Sequence, residues 1–208
     1  MKLLIAIPTL DYVHSEFMKC LTWLVIRLKN DGVDFDVDIV SGTLVYSARE
    51  KLARKAINQG YTHTLWLDSD MVFTEDLLDD LMFSGKSFVS GIYHARRTPH
   101  PSVIFKSIKL DELERYTDEY PKTTFQIAGC GFGCVLIETE IMRTVMLDMG
   151  HCFLPVDGLG EDLAFCQRAT ARGFKIWCEP AVRLGHIGHL TVYPEDYTRY
   201  RENNNIEV

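Results

Sequence analysis

The apolar run Thr64-Leu65-Trp66-Leu67 leads straight into Asp68-Ser69-Asp70, so it ends in two carboxylates one residue apart. Gly60-Tyr61-Thr62-His63 supplies the turn before it, and Leu65 and Leu67 are the apolar strand residues. A buried parallel strand would deliver both aspartates at its carboxyl end, where open α/β sheets bind ligands. Two like charges so close repel, and are tolerable when a hard cation sits between them and an anionic substrate. The pair reads as a divalent-metal site holding a phosphate-bearing ligand. The plain alternative is that either carboxylate caps the following helix. Thr74-Glu75-Asp76 already reads as an N-cap with acidic first-turn residues, which relieves Asp68 and Asp70 of that duty.

The 208 residues can form one domain, and 47% hydrophobic content is enough for a substantial core. No apolar run approaches membrane-spanning length. The opening Met1-Lys2-Leu3-Leu4-Ile5-Ala6-Ile7 is short and broken by Pro8 and Asp11, which suits a first strand better than an export signal. Cys20, Cys130, Cys134, Cys152, Cys166 and Cys178 include no C-x-x-C pair and read as reduced thiols of a cytoplasmic protein. The spacing of Cys152, Cys166 and Cys178 with His186 matches no compact zinc pattern. Cys130, between two glycines, reads as a small buried hydrophobe more readily than as a nucleophile. A net charge of −7 argues against general nucleic-acid binding. It also means that an anionic ligand needs local cations, a metal and a few placed arginines.

Alternation of strand and helix patterns dominates the first ninety or so residues. Phe17, Leu21, Leu24 and Leu28 recur at helical spacing, with Gly32 as the stop. Phe35, Val37 and Ile39 alternate with aspartates as a strand, and Ser47-Ala48-Arg49-Glu50 matches a capping box for a helix running to Gly60. The Asp68 strand, a helix over 75–83 and a strand at Phe88-Val89-Ser90 follow. This order predicts a doubly wound, mostly parallel sheet. From 91 to about 122 the pattern turns irregular and reads as a long functional loop. Strand pieces then flank Gly129-Cys130-Gly131-Phe132-Gly133, and helices follow from about Thr139 and from Glu161 to Arg172. Strands are expected at 174–178 and 181–184. No internal boundary appears, so 1–208 reads as one domain, with a polar tail from about 194 that carries Tyr197 and Tyr200 just beyond Tyr193.

Three features belong with the paired aspartates: Gly160-Glu161-Asp162 at a helix start, Gly185-His186-Ile187-Gly188-His189 after a strand, and Arg49 beside a Ser-containing turn. Each has a dull explanation, since acids complement a helix N-terminus and strand-end histidines are commonly structural. Taken in order, however, Ile5-Ala6-Ile7-Pro8-Thr9, Ser47-Ala48-Arg49-Glu50, Leu67-Asp68-Ser69-Asp70, Gly129-Cys130-Gly131, Gly160-Glu161-Asp162 and Leu184-Gly185-His186 resemble the GT-A glycosyltransferases. The likeness is to the family 2-like sugar transferases of bacteria and phages, whose Asp-x-Asp pair is the DXD motif, and it spans roughly 3–189. Relatives often carry Asn where this chain has Glu50, a departure at the position that meets the base or ribose.

The resemblance implies a GT-A, Rossmann-like αβα sandwich and a Mn²⁺- or Mg²⁺-dependent transfer from a UDP- or GDP-linked sugar to an acceptor hydroxyl. It makes Asp70 the direct metal ligand and has Asp68 hold the ribose or a metal-bound water. His186 closes the coordination, with His189 as the second-ranked imidazole. It assigns Asp162 the general base and gives Glu161 the orientation of acceptor or neighbouring groups. Pro8, Thr9 and Asp11 would cradle the nucleotide with Ser69, Arg49 would meet a phosphate or the base, and Gly129 and Gly131 would let backbone approach the sugar. Arg96 and Arg97 are diphosphate candidates, against the plainer reading of each as part of a solvated basic loop. Rival readings are a haloacid-dehalogenase-like phosphatase with Asp68 as nucleophile, a nucleotidyltransferase, and a nucleotide-sugar-binding module without chemistry.

Overall fold

The computed structural model describes residues 1–97, 99–117, 120–156 and 158–188. In chain order the elements are β1 (Lys2–Pro8), α1 (Ser15–Asn30), β2 (Asp34–Val40), α2 (Val45–Asn58), β3 (His63–Leu67), β4 (Met71–Val72) and α3 (Leu77–Phe83). There follow β5 (Phe88–Ile92), β6 (Ile104–Lys109), β7 (Glu112–Arg115), β8 (Phe125–Ile127), β9 (Gly129–Cys130) and β10 (Cys134–Glu138). The chain then forms α4 (Thr139–Met149), α5 (Glu161–Thr170), β11 (Ile176–Arg183) and β12 (Gly185–His186).

Seven strands make the central sheet in the order β2-β1-β3-β10-β5-β11-β8. Its pairings leave β2, β1, β3, β5 and β11 running one way, with β10 and β8 reversed, so the sheet is mostly parallel. Both faces are covered, which is why the central strands are apolar at nearly every position. Leu3, Ile5, Ile7, Leu65 and Leu67 pack against α1 and α3 through Phe17, Leu24 and Leu81. Leu4, Ala6, Trp66, Phe88 and Val135 pack on the opposite face against α2, α4 and α5. The result is an αβα sandwich. On that second face Phe153 stacks on Phe165 at 4.8 Å between ring centroids and meets Trp66 and Phe132 edge-on.

The stops expected at Gly32 and Gly173 hold, and both take left-handed φ, 71° and 82°. Several other expectations change. Ser47 caps nothing, because α2 already starts at Val45 with Leu44 before it. Glu50 instead accepts the backbone N–H groups of Cys152 and Phe153 at 2.8 and 3.0 Å, tying α2 to the segment that leads to α5. The helix expected from 75 begins at Leu77, and Thr74 contributes a backbone carbonyl to its first turn and no side-chain cap. The strands expected at 174–178 and 181–184 are one strand, β11, with a register shift between Cys178 and Arg183. Much of 91–122 is an antiparallel hairpin, β6–β7, whose first strand also pairs with β9. The alternating residues of β2 lie on a sheet edge, so Val37 and Ile39 stay 37% and 42% exposed.

Among the described residues no helix is long and apolar enough to cross a membrane. All six cysteines are free thiols, five of them buried. The expectations for His189, Tyr193, Tyr197, Tyr200 and the tail lie outside the described residues.

Phe153 is fully buried within the aromatic cluster. Phe153→Ala is expected to lower unfolding stability by about 3–5 kcal/mol, read as a reduced urea midpoint with an unchanged denaturant slope.

Candidate active site

Asp68, Ser69 and Asp70 leave the carboxyl end of β3 in a turn closed by the Met71 N–H on the Asp68 carbonyl at 3.2 Å. The Asp68 N–H donates to the Gly133 carbonyl at 3.1 Å, so the residue just before β10 holds the Asp68 backbone from the neighbouring strand. Immediately afterwards β4 pairs with β12, setting His186 opposite Met71, and the Ile187 N–H donates to the Asp70 carbonyl at 2.8 Å. Backbone hydrogen bonds thus carry the histidine to the aspartate across more than a hundred residues of chain.

His186 Nε2 lies 3.5 Å from Asp70 Oδ2, and its Nδ1 meets the His94 carbonyl at 2.8 Å. A carbonyl only accepts, so Nδ1 carries the hydrogen and Nε2 faces the carboxylate. Arg96 Nη1 reaches the same Asp70 oxygen at 2.8 Å. Burial would raise the Asp70 pKa, but the His186 hydrogen bond and the nearby positive charge of Arg96 outweigh it and hold the carboxyl below its usual range. Burial likewise works to lower His186, yet the hydrogen bonds to Asp70 and to the His94 carbonyl win and its pKa is raised.

Arg49 organises the other carboxylates from below. It is 3% exposed, donates Nη2 to Asp68 Oδ1 at 2.8 Å and Nε to Glu161 Oε1 at 3.2 Å, and lies over the Phe132 ring at 5.4 Å. Burial opposes its charge, but Asp68, Glu161 and Asp162 together raise its pKa. Asp68 is pushed upward, chiefly by burial and then by Asp70, against the pull of Arg49. Asp162, at the start of α5, is pushed up to about 6 by burial and by Glu161, although Arg49 and the Leu163 N–H draw it down. That is a value at which a carboxyl can take a proton near neutral pH.

Clefts open onto these groups, and two of them reach carboxylates; a third, ≈ 340 Å³, shares Arg96 and His186 with them and is otherwise lined by the loop of His94 and His100 with Leu184 and Gly188. The first, ≈ 360 Å³, is lined by Pro8, Thr9, Asp11, Asp68, Ser69 and Asp70, among others. The Ser69 hydroxyl donates to Thr9 Oγ1 at 3.0 Å, joining the ends of β1 and β3 across its floor. The second, ≈ 370 Å³, holds Asp162, Gly131, Tyr93 and the hairpin residues Phe105 and Arg115. Arg96 and His186 line both clefts, so the two spaces meet beside Asp70.

Most of the residues singled out from sequence therefore converge, but three take different parts. Arg49 lines neither cleft and meets protein carboxylates where a phosphate or base was expected. Glu161 lines neither cleft and is bound to Arg49 at 3.2 Å, so of its two expected parts, orienting the acceptor or neighbouring groups, the contact seen is the second. Gly129 belongs to the core, where a Cβ would lie 2.9 Å from Ile108 and 3.3 Å from Leu163. Arg97 lines the second cleft and not the first. Gly131 does border the second cleft, and a Cβ there would strike the Tyr93 hydroxyl at 2.4 Å. Leu10, Tyr12, His14 and Val45 of the first cleft and Phe105 and Arg115 of the second escaped sequence reading. Tyr12, 73% exposed just after β1, carried the clearest missed signal, a large aromatic in a strand-end loop.

Among the described residues no three His, Cys, Asp or Glu side chains converge as a metal-ligand group. Asp68 Oδ1 is engaged by Arg49 at 2.8 Å, and Asp70 and His186 are the pair of possible ligands in contact, at 3.5 Å.

No protein-family model matches this chain, and no curated protein does. Among solved structures, the crystal structure of A197 from STIV, a viral protein, matches with a TM-score of 0.64. The match covers 91% of this chain and 87% of that one at 18% identity. The likeness is one of fold.

Arg49→Met would leave Asp68 and Glu161 without their cation. The expected loss is about 2–4 kcal/mol in urea unfolding, below the fully buried figure because both carboxylates keep some solvent contact. Adding Asp68→Asn and Glu161→Gln to the same chain is expected to restore most of it.

Proposed function

We propose that this chain is a metal-dependent glycosyltransferase of the GT-A kind, moving a sugar from a nucleotide-diphosphate sugar, UDP-linked in the first instance, to an acceptor hydroxyl. One observation carries the reading. Two clefts meet at Arg96 and His186, with the Asp70 carboxylate in one and a carboxyl of raised pKa, Asp162, in the other. A two-substrate transfer needs that layout, with a charged donor on one side and a proton acceptor on the other. The order of sequence motifs supports the same assignment.

The donor set suits a cation shared with substrate. Asp70 Oδ2 and His186 Nε2 are a mixed oxygen and nitrogen pair, and His186 is oriented by its bond to His94. Ions that bind diphosphates take one or two protein carboxylates and complete their shell with phosphate oxygens and water, so two convergent side chains suffice. Mn²⁺ or Mg²⁺ held there would supply Lewis-acid stabilisation of the charge that grows on the leaving diphosphate.

The chain's own residues do the rest. The first cleft, floored by Thr9 and Ser69, receives the nucleotide, and Tyr12 and Leu10 offer apolar surface at its rim. Arg96 is within reach of the diphosphate once it exchanges Asp70 for phosphate oxygens. The acceptor oxygen forms a bond to the anomeric carbon while its proton passes to Asp162. The bond from that carbon to the diphosphate breaks, and its electron pair leaves with the diphosphate. A phosphatase using Asp68 as nucleophile fits less well, because Asp68 Oδ1 is engaged by the buried Arg49 guanidinium at 2.8 Å.

Thermal shift against a panel of nucleoside diphosphates tests the donor side. A rise for one nucleotide that depends on Mn²⁺, and is lost in Asp70→Ala and His186→Ala, is expected; no metal-dependent rise for any nucleotide overturns the reading. Asp162 tests the chemistry. It is protonated below about pH 6 and ionised above, so kcat/KM should climb with pH through about 6. Asp162→Asn should flatten that limb and lower kcat about 10²–10⁴-fold.

A further inference from the structure

The second cleft carries more positive charge than the transfer chemistry uses. Arg96, Arg97 and Arg115 line it, whereas Asp162 is the one carboxylate lining it among the described residues. Arg96 is engaged by Asp70 at 2.8 Å. Neither Arg97 nor Arg115 has a carboxylate partner among the described residues. Arg115 is nevertheless held in place: it donates to the Ser102 carbonyl, and its guanidinium lies 4.4 Å over the Phe105 ring. Such stacking fixes the planar donor fork in advance, which lowers the ordering cost of meeting an anion. In a chain of net charge −7, two guanidinium groups that have no carboxylate partner among the described residues line one cavity and give it a local charge of the opposite sign to the whole molecule.

We infer that the acceptor bears, besides its reacting hydroxyl, an anionic substituent, a carboxylate or a phosphate, which Arg97 and Arg115 bind. Tyr93, Phe105 and Leu163 give the same cleft an apolar wall against which a carbohydrate's C–H face can lie. The inference rests on the transferase reading and leaves its chemistry unaltered: the hydroxyl proton still passes to Asp162, and the diphosphate still departs with the electron pair. The charge of the acceptor selects it and takes no part in the bond change.

Calorimetric titration of the full chain, first with UDP and Mn²⁺ and then with acceptor probes at saturating UDP and Mn²⁺, separates the two ideas. The probes are methyl β-D-glucuronide, glucose 6-phosphate and neutral methyl β-D-glucoside, so the carboxylate and phosphate arms are read independently. At least one anionic probe is expected to bind about tenfold or more tightly than the neutral glycoside. Arg115→Ala and Arg97→Ala should each remove most of that preference. Arg97 is exposed, so its variant keeps the test valid if loss of the Arg115 stacking disturbs the hairpin. UDP binding without any preference for charged probes, or a preference that survives both substitutions, overturns the inference alone. If UDP does not bind, the titration is run with the nucleoside diphosphate that the thermal-shift panel selects; absence of Mn²⁺-dependent binding by every nucleoside diphosphate overturns the transferase reading and the acceptor assignment with it.

Discussion

Arg49 lies buried under the carboxyl end of the sheet, and its guanidinium joins three elements that are far apart in the chain: α2 that carries it, the end of β3 through Asp68, and the start of α5 through Glu161. A buried cation needs its charge met on several sides at once, and a planar guanidinium can satisfy two carboxylates and a backbone carbonyl without leaving its plane. The Phe132 carbonyl at 3.5 Å and the Phe132 ring complete that enclosure. Because these contacts are directional, they set where Asp68 and the neighbouring Asp162 stand relative to the clefts. The burial that makes Arg49 costly to desolvate also pushes the two aspartates upward.

A second brace acts on the opposite side of the turn. The β4–β12 pairing and the Ile187 N–H to Asp70 carbonyl bond set His186 against Asp70, while the His94 carbonyl fixes the imidazole's tautomer. Arg96, His94 and Arg97 all belong to the segment after β5, so one short loop orients the histidine, neutralises Asp70 and lines the second cleft. The two clefts share that loop through Arg96. The β6–β7 hairpin behind it contributes Phe105 and Arg115, which makes the irregular-looking middle of the chain the wall of the proposed acceptor space.

Local patterning carried much of the architecture. The 3.6-residue recurrence of Phe17, Leu21, Leu24 and Leu28 is the buried face of α1, and the apolar runs at β1, β3 and β5 are strands covered on both sides. Patterning failed where tertiary contacts reassigned a residue. Ser47 and Glu50 have capping-box spacing, yet Glu50 meets two backbone N–H groups near residue 152. The 91–122 segment hid its strands because its alternation is short, and β7 has little buried on either face. For the site, Asp68, Asp70, Asp162 and His186 were legible as acids and imidazoles at element ends. Arg115 was not, since nothing local distinguishes a cleft-lining arginine from a solvated one.

The sequence alone determined the strand–helix alternation, the burial of the sheet on both faces and the placing of two aspartates at a strand's end, because each follows from periodicity over a few neighbouring residues. Tertiary structure decided the rest. It turned Arg49 and Glu161 into a buried clamp, sent Gly129 into the core, reversed β10 within the parallel sheet and brought His186 to Asp70. These outcomes depend on hydrogen bonds and charge pairing between segments dozens to more than a hundred residues apart, and such couplings exist only once the chain has folded.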